Sequence, residues 1–171
     1  DATAPQLLAS TPIDGATGVA VNTNITLTFS EPVYAAAGSI TIHRSDDGTI
    51  VEAIPATGGQ VSGVAAGTTT ITVDPIGVLT GGTSYYITIA AGAFQDTAGN
   101  PYAGIVDSTS LNFTVADTTA PFLVSSTPAD GATGIPSETN LVFTFDESVY
   151  AATGEVTIYR SEDSTVVESI P

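Results

Sequence analysis

Apolar and polar residues alternate along this chain with a period of two. Ile25, Leu27 and Phe29 are separated by Thr26 and Thr28, the pattern of a strand with one buried face. The same alternation recurs at Ile40 and Ile42, at Ile71 and Val73, at Tyr85, Ile87 and Ile89, and at Leu111, Phe113 and Val115. With apolar segments at 6–10 and 49–54, this predicts seven strands: A (6–10), B (24–29), C (39–43), D (49–54), E (69–74), F (84–90) and G (110–115). Gly, Pro, Asp, Asn and Thr punctuate them, and Asp46-Asp47-Gly48 predicts a hairpin turn between C and D. No stretch carries a helical stripe. Seven short strands in about 116 residues predict an all-β fold, an antiparallel sandwich of immunoglobulin type. Leu79 to Tyr85 precede strand F, where a tyrosine corner is expected to fold the Tyr85 hydroxyl back onto upstream backbone. The alternative is a plain inward aromatic, and both roles are structural.

The pattern then starts again. Residues 1–55 and 117–171 align without a gap, and 33 of the 55 pairs are identical. The expected domains are a complete repeat at 1–116 and strands A to D of a second at 117–171. Four strands leave half a core uncovered. The six residues between Val115 and Phe122 are too few to carry strands E to G of repeat 1 comfortably onto repeat 2. Repeat 1 is therefore expected to fold in cis, and residues 117–171 to pair or exchange strands with another chain.

Composition narrows the function. Eighteen acidic residues face two arginines, Arg44 and Arg160, with no lysine, for a formal net charge of −16. That argues against nucleic acid, which needs Lys/Arg clusters, and against anionic membrane surfaces. No apolar run is long enough to span a bilayer, so no membrane insertion is expected, and any targeting segment would lie outside these residues. Cysteine is absent, which removes disulfides and thiol chemistry.

Several motifs here resemble the bacterial Ig-like family first associated with S-layer proteins. They are Asp117-Thr-Thr-Ala-Pro121, Ser126 to Gly134, Leu27 to Glu31, Gly82 to Tyr85, Asp96-Thr-Ala-Gly-Asn100 and Leu111 to Val115. The resemblance implies an Ig-like sandwich repeated in tandem on large secreted or surface bacterial proteins, adhesins among them. It places the chain outside the cell or on its surface, next to neighbouring Ig-like repeats, and implies no common ligand.

The strand order predicts two loop poles. Asp1, Glu31, Asp96, Asn100 and Asp107 are expected at one, and Asp14, Asp46, Asp47 and Asp74 at the other. Calcium suits acidic poles because it takes six to eight hard oxygen ligands. Glu31, Asp96, Asp117 and Glu147 are its candidate ligands, and no cofactor is required. The competing reading is ordinary turn chemistry, in which Asp and Asn bond nearby backbone. Tyr34, Tyr102 and Tyr150 fall in predicted loops and are the candidate ligand contacts.

Catalysis finds little support. His43, the one histidine, is Tyr159 in the second copy and reads as a surface or strand-packing residue. No Gly-x-Ser-x-Gly elbow is present. A carboxylate pair could in principle serve a glycosidase, but a small sandwich seldom offers the cleft. The threonines alternate with apolar residues as the outer half of strands, not as the regular array an ice-binding surface needs. The expectation is a non-catalytic extender of a surface adhesin. The alternative is a glycan- or protein-binding accessory module of a secreted polysaccharide-acting enzyme. Gly48 becomes Ser164, so the two C–D turns are expected to differ.

Overall fold

A computed structural model describes residues 2–64, 67–77 and 79–171. It divides into two compact units, Asp1–Thr119 and Ala120–Pro171. Among the described residues there is no helix.

Unit 1 is an Ig-like sandwich of two five-stranded sheets. Its strands are β1 (Leu7–Thr11), β2 (Ala16–Val19), β3 (Ile25–Ala35), β4 (Ser39–Arg44), β5 (Ile50–Pro55), β6 (Val61–Ser62), β7 (Thr68–Val73), β8 (Ser84–Ile89), β9 (Phe94–Gln95) and β10 (Asn112–Val115). The first sheet runs β1-β3-β7-β6, with β9 paired to the far half of β3. The second runs β2-β10-β8-β4-β5. Strand D of the sequence reading is β5, a hairpin partner of β4, so it extends the sheet of strands C, F and G. Three short strands, β2, β6 and β9, lie in predicted loops.

Alternation decides which way each side chain points. Ile25, Leu27 and Phe29 on β3 face Ile40 and Ile42 on β4 and Ile87 and Ile89 on β8 through one continuous core. Phe29 packs against Phe94 and, edge-on, against Tyr102, with ring centroids 5.6 and 5.2 Å apart. Fully burying one such side chain is worth roughly 1.5–3 kcal/mol.

Unit 2 has β11 (Leu123–Thr127) paired with β12 (Val142–Phe145) and β13 (Val156–Tyr159) paired with β14 (Val166–Ile170). These are the counterparts of β1, β3, β4 and β5. The turn between β13 and β14 closes like its counterpart, contrary to expectation. Gly48 N–H donates to Arg44 C=O at 3.0 Å, and Ser164 N–H donates to Arg160 C=O at 2.9 Å. Ser164 achieves this by adopting φ 59°, where unit 1 has Gly48 at φ 71°. A side chain in that left-handed region is strained.

Candidate functional site

Asp96 follows β9, and its carboxylate organises the next four residues. Oδ1 accepts the N–H groups of Ala98 and Asn100 at 2.8 and 2.7 Å, and Oδ2 accepts the Asn100 side-chain amide at 2.7 Å. Asp96 is the one buried charged residue among those described, only 3% exposed. The Asn100 amide first, and then backbone N–H groups, hold its carboxyl below the ordinary range against the opposing effect of desolvation. The turn sends the chain back along β9, so that Tyr102 N–H donates to Phe94 C=O at 2.9 Å. Tyr102 is thereby carried under Phe29 and into the core. It is not a surface contact, because the Asp96 turn folds the predicted loop into a hairpin.

Tyr34 is also on a strand and not in a loop. β3 runs on past Ser30, and Tyr34 pairs in register with Gln95. It is half-buried beside Gly67, where any Cβ would overlap the Tyr34 hydroxyl. Tyr150 is exposed. Tyr85 is buried, and its hydroxyl accepts the Thr80 N–H at 2.9 Å.

The candidate calcium ligands do not converge within unit 1. Asp96 follows the end of β8, whereas Asp117 lies beside Gly82, just before β8 begins. A six-residue strand separates them by roughly 20 Å. Glu31 is half-buried on β3, and Glu147 belongs to unit 2, just after β12. Among the described residues no three of His, Cys, Asp and Glu gather in a group that could hold a metal ion. Asp107 sits in a bulge between Ile105, which bridges to Ile89, and Leu111, whose C=O accepts the Ile87 N–H. Its Oδ2 accepts the Ser110 hydroxyl, and its Oδ1 accepts both donors of Thr109 and the Ser110 N–H. Led by the Ser110 side chain, these bonds lower its pKa to about 2.

That bulge walls one side of an open groove on the outer face of the second sheet. The groove has a volume of about 610 Å3 and is lined by Thr41, His43, Tyr86, Thr88 and Asp107, among others. His43 pairs in register with Tyr86, and their rings stack at 4.6 Å with planes 3° apart. His43 Nε2 lies 2.9 Å from Thr88 Oγ1, and Nδ1 lies 3.3 Å from Gly48 C=O. A hydroxyl beside an imidazole invites comparison with a nucleophile and its base. Both side chains, however, stand on a regular antiparallel ladder, whose N–H groups point along the sheet at neighbouring strands. Such a surface does not aim paired donors at a developing oxyanion. The groove can stack and hydrogen-bond a ligand. Sequence reasoning missed it because Tyr86 and Thr88 are merely the outward half of strand F; the sheet order makes them neighbours of His43.

Comparison with known proteins places this geometry. The model of the family described as bacterial Ig-like domain matches residues 1–115 and again residues 117–170. No curated protein matches the chain. Among solved structures, the chain is similar to CopC from Methylosinus trichosporium OB3b, at 19% identity and a TM-score of 0.47, over 68% of this chain and 97% of that one. It is also similar to the S-layer protein rSbsC(31-844), at 17% identity and a TM-score of 0.43, over 98% of this chain. There it spans 19% of the S-layer protein's length.

Proposed function

The chain belongs to the bacterial Ig-like domain family, and we propose that it is a non-catalytic structural repeat of a large secreted or surface protein, an extender of adhesin type. One observation carries this reading: two matches to the same family follow each other with a single residue between them. The last strand of unit 1 and the first of unit 2 are joined by the seven residues from 116 to 122, a short connection between successive repeats. The packing agrees with it, since the large apolar side chains of unit 1 are mostly spent on the core. The test is small-angle scattering of one, two and three joined copies of residues 1–116. A maximum dimension growing by a constant increment per copy is expected; a compact three-copy particle would contradict the reading.

The extender reading does not depend on calcium. With three bonds already made, the Asp96 carboxylate has little capacity left for a cation. Melting the chain with millimolar calcium and then with chelator should leave the midpoint unchanged. A rise of several degrees would restore Glu31, Asp117 and Glu147 as ligands.

The groove of His43 and Tyr86 favours a second reading, a glycan- or protein-binding accessory module. Binding on a glycan array that disappears in Tyr86→Ala would support it over the extender.

A further inference from the structure

The groove beside His43 and Tyr86 runs over the middle of the second sheet, where the backbone is paired on both sides. β4 lies between β5 and β8, and β8 lies between β10 and β4. Where β10 has not yet begun, Ile105 takes its place and exchanges two backbone bonds with Ile89, at 2.8 and 2.9 Å. An extended peptide therefore finds no free edge to join at the groove floor. Recognition there falls to side chains.

Most of the polar ones are hydroxyls. Thr41 and Thr88 face each other in register across the floor. Ser39 lies two residues, roughly 7 Å, along β4 from Thr41, and Tyr86 and Ser108 also line the groove. Among the described residues, the hydroxyls of Ser39, Thr41, Tyr86 and Ser108 have no protein partner. Thr88 differs. The Gly48 C=O can only accept, so Nδ1 of the neutral His43 ring carries the proton, and Nε2 accepts the Thr88 hydroxyl. The lone pairs of Thr88 Oγ1 stay open to a donor from a ligand. Apolar surface comes from the Tyr86 ring and from Val106, which is 84% exposed. Apolar lining with a few polar groups is the usual make-up of a small-ligand site, and about 610 Å3 lies within the usual range of about 300–1,000 Å3.

Charge selects among the ligands such a groove could take. The chain carries eighteen acidic residues, yet Asp107 alone of them lines the groove, and neither arginine does. Both Asp107 oxygens are already engaged by Thr109 and Ser110 in holding the bulge. A ligand carboxylate or phosphate would find no cation here and would meet the repulsion of a net charge of −16. A cationic ligand would find no free carboxylate, and an apolar one would cover the hydroxyls without pairing them. What fits is an uncharged molecule with many hydroxyls of its own.

We propose that this groove binds a neutral polysaccharide, laid along β4 and β8 over the Thr41–Thr88 pair. Thr41, Ser39 and Ser108 donate to or accept from its hydroxyls, Thr88 accepts, and the Tyr86 ring and Val106 take its less polar faces. Little has to be ordered on binding, because the Asp107 bonds fix the wall and both ring nitrogens of His43 are held. The inference rests on the binding-module reading above and narrows it to one class of ligand.

The experiment titrates the isotopically labelled 171-residue chain with linear hexasaccharides of glucose, mannose and galactose, and with the hexamer of galacturonic acid. At least one neutral sugar should shift the amides of Thr41, His43, Tyr86 and Thr88, and the acidic hexamer should not. Thr41→Val and Thr88→Val keep the side-chain shape and lose a hydroxyl, so each should weaken binding about fivefold. Raising the salt from about 0.05 to about 0.5 M should change the affinity less than about twofold, because no charge pair forms. Silence with every sugar would overturn the inference and leave the module reading to a protein ligand alone. A preference for galacturonic acid, or neutral-sugar shifts confined to residues away from the groove, would overturn the inference while the module reading stood.

Discussion

Leu27 and Phe143 occupy the same position in two copies of one sequence, yet Leu27 is 0% exposed and Phe143 is 42% exposed. Phe29 and Phe145, identical residues at equivalent positions, are 2% and 37% exposed. Local sequence does not cause the difference. Both copies alternate in the same way, pair β1 with β3 or β11 with β12 in matching register, and close the same tight turn. What differs is whether β7, β8 and β10 lie over the face. A strand pattern specifies direction and partner, but non-local strands decide whether burial is realised.

The largest effect expected from this contrast is in the paired core positions. Leu27→Ala should cost about 2–5 kcal/mol through lost burial and the cavity left behind. Phe143→Ala should change the stability of the chain by less than about 1 kcal/mol. Chemical denaturation of the two variants checks it, and equal losses would break the comparison.

Next comes a feature that only the covered copy possesses. Tyr85→Phe removes the acceptor of the Thr80 N–H and should cost about 1–3 kcal/mol. Only the unfolding transition of unit 1 should move.

The turns offer a smaller and reciprocal test. Ser164→Gly should relieve left-handed strain worth about 1 kcal/mol, and Gly48→Ser should impose it. Thermal melts of the two variants should shift in opposite directions.

Acid should also separate the copies. Asp96 and Asp107 have folded pKa values below the ordinary carboxylate range, about 2 for Asp107, and unit 2 contains no counterpart of either. The stabilisation they give is complete above the unfolded value near 4 and is lost as pH falls towards 2. Asp47 and its counterpart Asp163 are lowered alike by bonds from Thr49 and Thr165, so they do not distinguish the units. The melting midpoint of unit 1 should drop between about pH 4 and pH 2, and Asp107→Asn should flatten that drop.

Much of the fold was legible because alternation at Ile25 to Phe29 or Tyr85 to Ile89 reports directly which face is buried. The missed strands β2, β6 and β9 are two to four residues long, too short for a period to show. Tyr102 was misplaced for a related reason. Pro101 and Gly104 announce a loop, but the carboxylate bonds of Asp96 turn that loop inward, and such bonds have no periodic signature. Tyr34 was misread because β3 continues past the Ser30-Glu31-Pro32 interruption. The groove of His43 and Tyr86 depends on which strands are neighbours, and linear spacing does not carry that information.

Native-state hydrogen exchange on the 171-residue chain tests the central claim most directly, since it reads equivalent amides in both copies at once. Amides of β3 and β4 should exchange only through global unfolding of unit 1, at least about a thousandfold more slowly than their counterparts in β12 and β13. Equal protection of the two sets, in a chain shown to be monomeric, would contradict the account.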